Sequence, residues 1–396
     1  MRIEKLHVRT VLNSKAEPTL EVGVKVEGGW FFASAPSGTS TGKYEVRAWP
    51  DASDVNIAVA TARKRLENDV FPTLKGRDIS PPEVDELLEE IDGTEDFSYI
   101  GGNAALAVSM AAHKAYAWCE NVPLFESIAD LYGFRPRPVK PLENFVGGGA
   151  HGGNTDIQEF LVSTNAEDME QSVHVLSWLY RETKHMLEER DPNFSGALTL
   201  ESAFVTSLPT EGILDILTTL SDFITNMGYE IRVGVDVAAT ELWNGRVYVW
   251  SKEGKKRDPE EQLAYIEELI KAYRLFYVED PFHEDDFDSF VALQGRVNAV
   301  VVGDDLFATN RERLRDGIHG IIIKPNQRGT IGRTVETIKE ARKREMTIIV
   351  SHRSGETDDT FLAHFAVGVG ADYAKFGAAG IRTVKLNELV RISELL

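Results

Sequence analysis

The sequence predicts an α/β fold: a β/α barrel in the C-terminal part, preceded by a smaller α+β segment. Two observations carry this. From Ile231 onward, short apolar runs recur and each gives way to a polar residue, at Asp236, Glu279, Asp304, Lys324, His352 and Lys375. Helix-like segments fill the intervals, which are 43, 25, 20, 28 and 23 residues long, about one strand–helix unit each. Strands alternating with helices imply a parallel sheet, and a series of such units with apolar strands points to a closed barrel.

The first third supplies the α+β segment. Residues 3–11, 19–27 and 30–35 are strand-like, and Gly28-Gly29 marks a hairpin turn between the last two. Helical patterns follow at 54–70, 81–91 and 103–118. The proline-containing stretch Arg135–Pro141 reads as a linker, dividing the chain into 1–134 and 135–396. In the barrel part, residues 258–273 open with Asp258, Pro259 and Glu261, which predict an N-cap, a first-turn proline and a capping box. Thr309 and Glu312 suggest a second capping box, and residues 331–345 and 357–369 are helix-like.

Composition narrows the function. The chain has 396 residues and a formal charge of −20, which opposes nucleic acid and anionic membrane at long range. An acidic substrate would need locally placed cations. Cys119 is the one cysteine, so no intrachain disulfide forms. The charged N-terminus lacks a signal-peptide core, so the expected location is cytoplasmic.

Asp236, Glu279 and Asp304 fall at successive strand ends and converge at the barrel mouth. Carboxylates so placed repel one another unless a cation joins them, and all-oxygen ligation favours Mg²⁺. Lys324 and Lys375 end similar strands. On spacing alone two readings stand. Either the lysines close the barrel as structural salt bridges, or one is held neutral as a base that removes a proton beside a carboxylate.

The motifs add a resemblance. Asp236–Glu241, Glu279-Asp280-Pro281-Phe282, Gly303-Asp304-Asp305-Leu306, Lys324-Pro325-Asn326-Gln327 and Ser351-His352-Arg353-Ser354-Gly355-Glu356-Thr357 resemble enolase signatures, in enolase order. Pro18–Val22, Ala35–Gly42, Gly101–Ala104, Gly147–His151 and Gln158-Glu159-Phe160 extend the likeness nearly end to end. The resemblance implies an enolase-type barrel under a smaller capping domain, acting as a lyase between 2-phosphoglycerate and phosphoenolpyruvate. It implies Asp236, Glu279 and Asp304 as ligands of one Mg²⁺, and Ser40 as a ligand of a second that arrives with substrate. Lys324 matches the base, Lys375 a carboxylate-holding lysine, and Glu201, assisted by Glu159, the acid that helps the hydroxyl leave. Arg353 and Ser354 match phosphate contacts, and His151 and His352 match active-site histidines. Arg9, Glu21 and Arg391 resemble residues that pair across a dimer, implying a homodimer or higher oligomer.

The chain also departs from the family pattern. Ser14-Lys15-Ala16-Glu17 stands for Ser-Arg-Gly-Asn, and Thr199-Leu200-Glu201-Ser202-Ala203-Phe204 for Gly-Asp-Glu-Gly-Gly-Phe. The interval from His151 to Glu159 is one residue short, and the chain stops soon after Arg391–Glu394. Two alternatives therefore accompany the main reading: a paralogue using enolate chemistry on another phosphorylated or sugar acid, and a barrel that serves as a binding scaffold.

Overall fold

The computed structural model describes residues 1–38, 42–50, 54–166 and 168–396. Strands β1 (Lys5–Leu12), β2 (Pro18–Val26) and β3 (Gly29–Ser34) form an antiparallel meander. Gly28 turns β2 into β3 at φ +101°, a conformation that costs a glycine little. The alanine-rich helix Gly102–Glu120 packs on this sheet and is buried along most of its length. Its small side chains allow close approach on both sides. From the barrel, Asn326 Nδ2 donates to Asn103 Oδ1 (3.3 Å) and the Ile331 amide donates to Ser109 Oγ (3.2 Å). Sheet, helix and barrel share one hydrophobic core.

The barrel is closed, as the apolar runs predict. It comprises β4 (Lys140–Gly147), β5 (Glu159–Thr164) and β6 (Ile231–Asp236), then, past a small hairpin of β7 (Tyr248–Trp250) and β8 (Lys255–Arg257), five more strands. These are β9 (Tyr277–Glu279), β10 (Val300–Gly303), β11 (Gly320–Ile323), β12 (Thr347–Ser351) and β13 (Tyr373–Lys375). Around the barrel the order is β10-β11-β12-β13-β4-β5-β6-β9. The capping box of Asp258 and Glu261 forms as expected. The one at Thr309 does not: Asn310 caps a short turn there, its side chain accepting from the Glu312 amide (3.1 Å).

One strand departs from the parallel pattern. β5 pairs antiparallel with both β4 and β6. The connection 148–158 contains no helix long enough to carry the chain back across the barrel, so β4 turns directly into β5. The first residue of β5, Glu159, therefore lies at the mouth where the other strands end. Its register partners are Gly147 and Asp236.

Period-two alternation then places the chemistry. Leu142, Leu161, Tyr277, Val302, Ile322 and Ile349 form an enclosed cluster inside the barrel, with Tyr373 packed against it. Val278, Val301, Ile321, Ile323, Ile348 and Val350 point outward into the core shared with the helices. Two residues nearer the mouth than each interior position, on the same face, stand Asn144, Glu159, Glu279, Asp304, Lys324, Ser351 and Lys375. Asp236 holds the corresponding place beyond Gly234, the register partner of Tyr277. The barrel thus ends in a ring of polar residues standing on an apolar plug.

Candidate active site

His151, Glu159, Glu201, Asp236, Asp304, Lys324, His352, Arg353, Ser354 and Lys375 line one cleft at this mouth. Glu279 is fully buried beneath it. Ser40 lies outside the described residues. Glu45, Gln158, Glu241, Asp280 and Asp305 also line the cleft, and sequence reasoning gave none of them a role. Asp280 and Asp305 were within reach of that reading, because each directly follows a singled-out carboxylate.

The carboxylates divide into two groups. Lys375 Nζ sits 2.6 Å from Glu159, 2.7 Å from Glu279 and 3.3 Å from Asp236. Burial pulls its pKa down, but the three carboxylates outweigh burial and hold the ammonium well above its ordinary value. Asp304 pairs instead with Lys324, and neighbours Asp280 and Asp305. The backbone explains the division. Glu159, Asp236 and Glu279 are register neighbours, whereas Asp304 lies just past the end of β10, where its amide donates to Asp280 Oδ1 (2.9 Å). The expected trio of Asp236, Glu279 and Asp304 therefore spans two adjoining clusters, with Glu159 joining the first.

This ring fits a hard cation. Four carboxyl groups (Glu159, Asp236, Glu279 and Asp304) face two ammonium groups, and burial with the neighbouring carboxylates pushes the Glu279 pKa up to about 8, so the ring is short of cations. Glu279 Oε1 and Asp304 Oδ1 are buried oxygens without a hydrogen-bond partner. Leaving such oxygens unsatisfied is costly, and an oxygen-seeking divalent ion removes the cost. Lys324 differs from the sequence expectation of a neutral base. Burial lowers its pKa, yet Asp304 overrides burial and holds it above the ordinary lysine value.

The opposite wall carries a carboxyl pair. Burial, opposed by Lys375 and reinforced by Glu201 and Asp236, raises the Glu159 pKa well above its usual range. For Glu201, burial is outweighed by His151, His352 and its hydrogen bonds, which hold it well below. The pair is thus biased in opposite directions, Glu159 toward its protonated form and Glu201 toward its ionised form. His151 reaches both: Nδ1 is 3.8 Å from Glu159 and Nε2 is 3.8 Å from Glu201. Across the short 151–159 interval the histidine thus faces both carboxyls. Gly153 makes this loop fit, since a Cβ there would stand 1.9 Å from the Gly147 carbonyl.

His352 Nε2 lies 3.5 Å from Glu201 Oε2. Burial, with Arg382 also opposing charge on the ring, pushes the His352 pKa to about 4 despite Glu201, leaving it neutral at pH 7. Arg353 is held by Glu45 Oε2 (3.1 Å) and Asn326 Oδ1 (3.2 Å). Nothing near Glu45 or Arg382 in the sequence signals either role.

Both altered loops keep the backbone that glycine would favour. Ala16 and Ser202, standing where the family pattern has glycine, adopt φ +58° and +64°. Ser14 Oγ donates to the Ser354 carbonyl (3.1 Å) and accepts from the Glu356 amide (3.0 Å), joining the first of these loops to the site. The second rests on Tyr180, which stacks on Phe204 (4.4 Å) and donates to the Ser202 carbonyl (2.6 Å). Thr199 Oγ1 accepts from the Glu201 and Ala203 amides (both 3.2 Å), fixing the turn that presents Glu201.

A β/α barrel with buried carboxylates, lysines and a carboxyl pair around one cleft defines an acid–base enzyme of the cation-assisted class. Comparison with known proteins specifies it further. Residues 3–128 match the enolase N-terminal domain and residues 137–396 the enolase C-terminal TIM barrel domain. An enolase of Methanothermobacter thermautotrophicus is 40% identical over 407 residues, covering 99% of this chain and 96% of the relative. Enolases of Methanosphaera stadtmanae and Pyrobaculum aerophilum are each 41% identical, covering 100% of this chain and 97% of each relative. The chain belongs to the enolase family.

Ser202 provides a test of the retained backbone. A left-handed non-glycine residue costs about 1–2 kcal/mol, partly offset by glycine's greater entropy loss. Ser202→Gly should therefore raise unfolding stability by about 0.5–1 kcal/mol in denaturant titration. An unchanged or lower stability would show that Ser202 is unstrained.

Proposed function

We propose that the chain is a working phosphopyruvate hydratase, interconverting 2-phosphoglycerate and phosphoenolpyruvate with Mg²⁺, in the cytoplasm. The observation that carries the reading is the ring: an excess of buried carboxylates, two of them with unpartnered oxygens, beside Lys324. Full-length similarity to relatives named Enolase favours it over the paralogue and scaffold readings. Among the described residues no helix is long and apolar enough to cross a membrane. We divide the chain at 134/135 into a capping and a catalytic domain.

Asp236, Glu279 and Asp304 are the proposed ligands of the first Mg²⁺, and Ser40 of a second that arrives with substrate. Held by these carboxylates, the ion would supply positive charge against that of the substrate carboxylate and would compete with Lys324 for Asp304. Lys324 is the proposed base: with its pairing to Asp304 weakened, the ammonium releases its proton to solvent, and the neutral amine takes the C2 proton on Nζ. Lys375, pinned among Glu159, Asp236 and Glu279, stays charged and holds the substrate carboxylate. On the far wall, the proton shared by Glu159 and Glu201 is delivered through Glu201 to the departing C3 hydroxyl. His151 and His352 flank that carboxyl and orient it. Arg353 and Ser354 take the phosphate, for which a planar guanidinium supplies two parallel donors.

Purified protein given 2-phosphoglycerate and Mg²⁺ should form phosphoenolpyruvate, seen as ultraviolet absorbance. Lys324→Ala should reduce turnover at least about 1,000-fold, since the variant loses the base, and a chelator should abolish it. Wild-type turnover no faster than that of Lys324→Ala would reject the assignment.

Arg9 and Arg391 have partners within the chain, Glu21 and Glu388 (Nη1–Oε2 2.7 Å for the second). We nevertheless infer a dimer or larger assembly from the resemblance of Arg9, Glu21 and Arg391 to pairing residues. Light scattering should then give at least twice the chain mass of 44.1 kDa, and a mass of one chain would refute it.

A further inference from the structure

Arg382 is almost fully buried, in the turn Gly380–Arg382 after the last barrel strand. Its guanidinium reaches three separate parts of the site. Nε donates to His352 Nδ1 (2.8 Å), Nη1 to the Leu200 carbonyl (3.1 Å), and Nη2 to the Ser354 carbonyl (2.9 Å). Gly377 leaves room for the stem, since a Cβ there would stand 2.5 Å from Arg382 Cδ.

The contact with His352 has a definite chemical consequence. An arginine only donates, so the Nδ1 it meets must accept. A neutral imidazole accepting at Nδ1 carries its one proton on Nε2. That nitrogen faces Glu201 Oε2 at 3.5 Å. Leu200 and Ser354 adjoin the other two groups concerned, the proposed acid Glu201 and the proposed phosphate contact Arg353.

We propose that Arg382 is a positioning residue for the acid half of the reaction: it fixes His352 as the Nε2–H tautomer, aimed at Glu201, and pins the 199–204 and 351–354 loops in mutual register. The inference deepens the reading under Proposed function and rests on Glu201 acting in turnover. It also accounts for a loop that diverges in side chains yet keeps its place. The tie from Arg382 is to the backbone of Leu200, so the residue's loss of an acidic side chain leaves the tie intact.

Imidazole ¹⁵N shifts of His352, assigned by comparison with His352→Gln, read the tautomer directly and without turnover. In the wild-type protein Nε2 should be protonated and Nδ1 bare. In Arg382→Met the two nitrogens should move toward each other as the tautomers mix. The kcat should fall at least tenfold, by more than any rise in KM. Arg382→Lys, which restores a donor, should recover part of both. A protonated Nδ1 in the wild type would overturn the proposal, whether or not the variants fold. So would a folded Arg382→Met with unaltered His352 shifts. Because the spectrum needs no substrate, failure of this proposal is distinguishable from failure of the assigned reaction: an Nε2–H tautomer without turnover would refute the reaction alone.

Discussion

The structure depends on how more carboxyl groups than cations are buried at the end of an apolar barrel. Isolated carboxylates would not remain ionised there. Lys375 and Lys324 make the arrangement tolerable, the first set among Glu159, Asp236 and Glu279, the second against Asp304. Each lysine gains from its partners more than burial takes away. The cations remain fewer than the carboxyl groups, and the unpartnered oxygens of Glu279 and Asp304 mark where a divalent ion would fit. Stability and chemistry thus make opposing demands on the same groups: the pairing that stabilises the ring also keeps the proposed base protonated.

Strand geometry converts that charge balance into a division of labour. Alternation along the strands stacks the polar ring on Leu142, Leu161, Tyr277, Val302, Ile322 and Ile349, a plug of buried apolar side chains that offers the ring no polar partner from below. Reversal of β5 brings Glu159 to the same level as Asp236, so one carboxyl belongs both to the lysine cluster and to the pair with Glu201. Glu159 therefore links the wall proposed to abstract a proton to the one proposed to donate it. Burial and the carboxylates of Glu201 and Asp236 push the Glu159 pKa up against the pull of Lys375, while the two histidines hold that of Glu201 down.

Much of this was legible in the sequence because a barrel strand announces its end. An apolar run that stops at Asp236, Glu279, Asp304, Lys324 or Lys375 reports both the strand and its functional residue. The same logic fails at β4 and β5. They are joined without an intervening helix, which breaks the strand–helix spacing, and Glu159 begins its strand instead of ending it. Glu159 was found through the Gln158-Glu159-Phe160 motif, with no periodic signal behind it. Grouping within the ring was also hidden, since the register that sets Asp304 apart from Asp236 and Glu279 depends on strand stagger. Arg382 was wholly opaque: it stands in a turn, and three of its four hydrogen bonds are to backbone carbonyls that any residue supplies.

If one wall removes a proton while the other releases the hydroxyl, exchange at C2 separates the two. The measurement is loss of the C2 proton of 2-phosphoglycerate into D₂O with Mg²⁺, followed by proton NMR for wild type, Glu201→Gln and Lys324→Ala. Glu201→Gln should still exchange the C2 proton while forming little phosphoenolpyruvate, and Lys324→Ala should do neither. Exchange that persists in Lys324→Ala, or vanishes in a folded Glu201→Gln, would contradict the account.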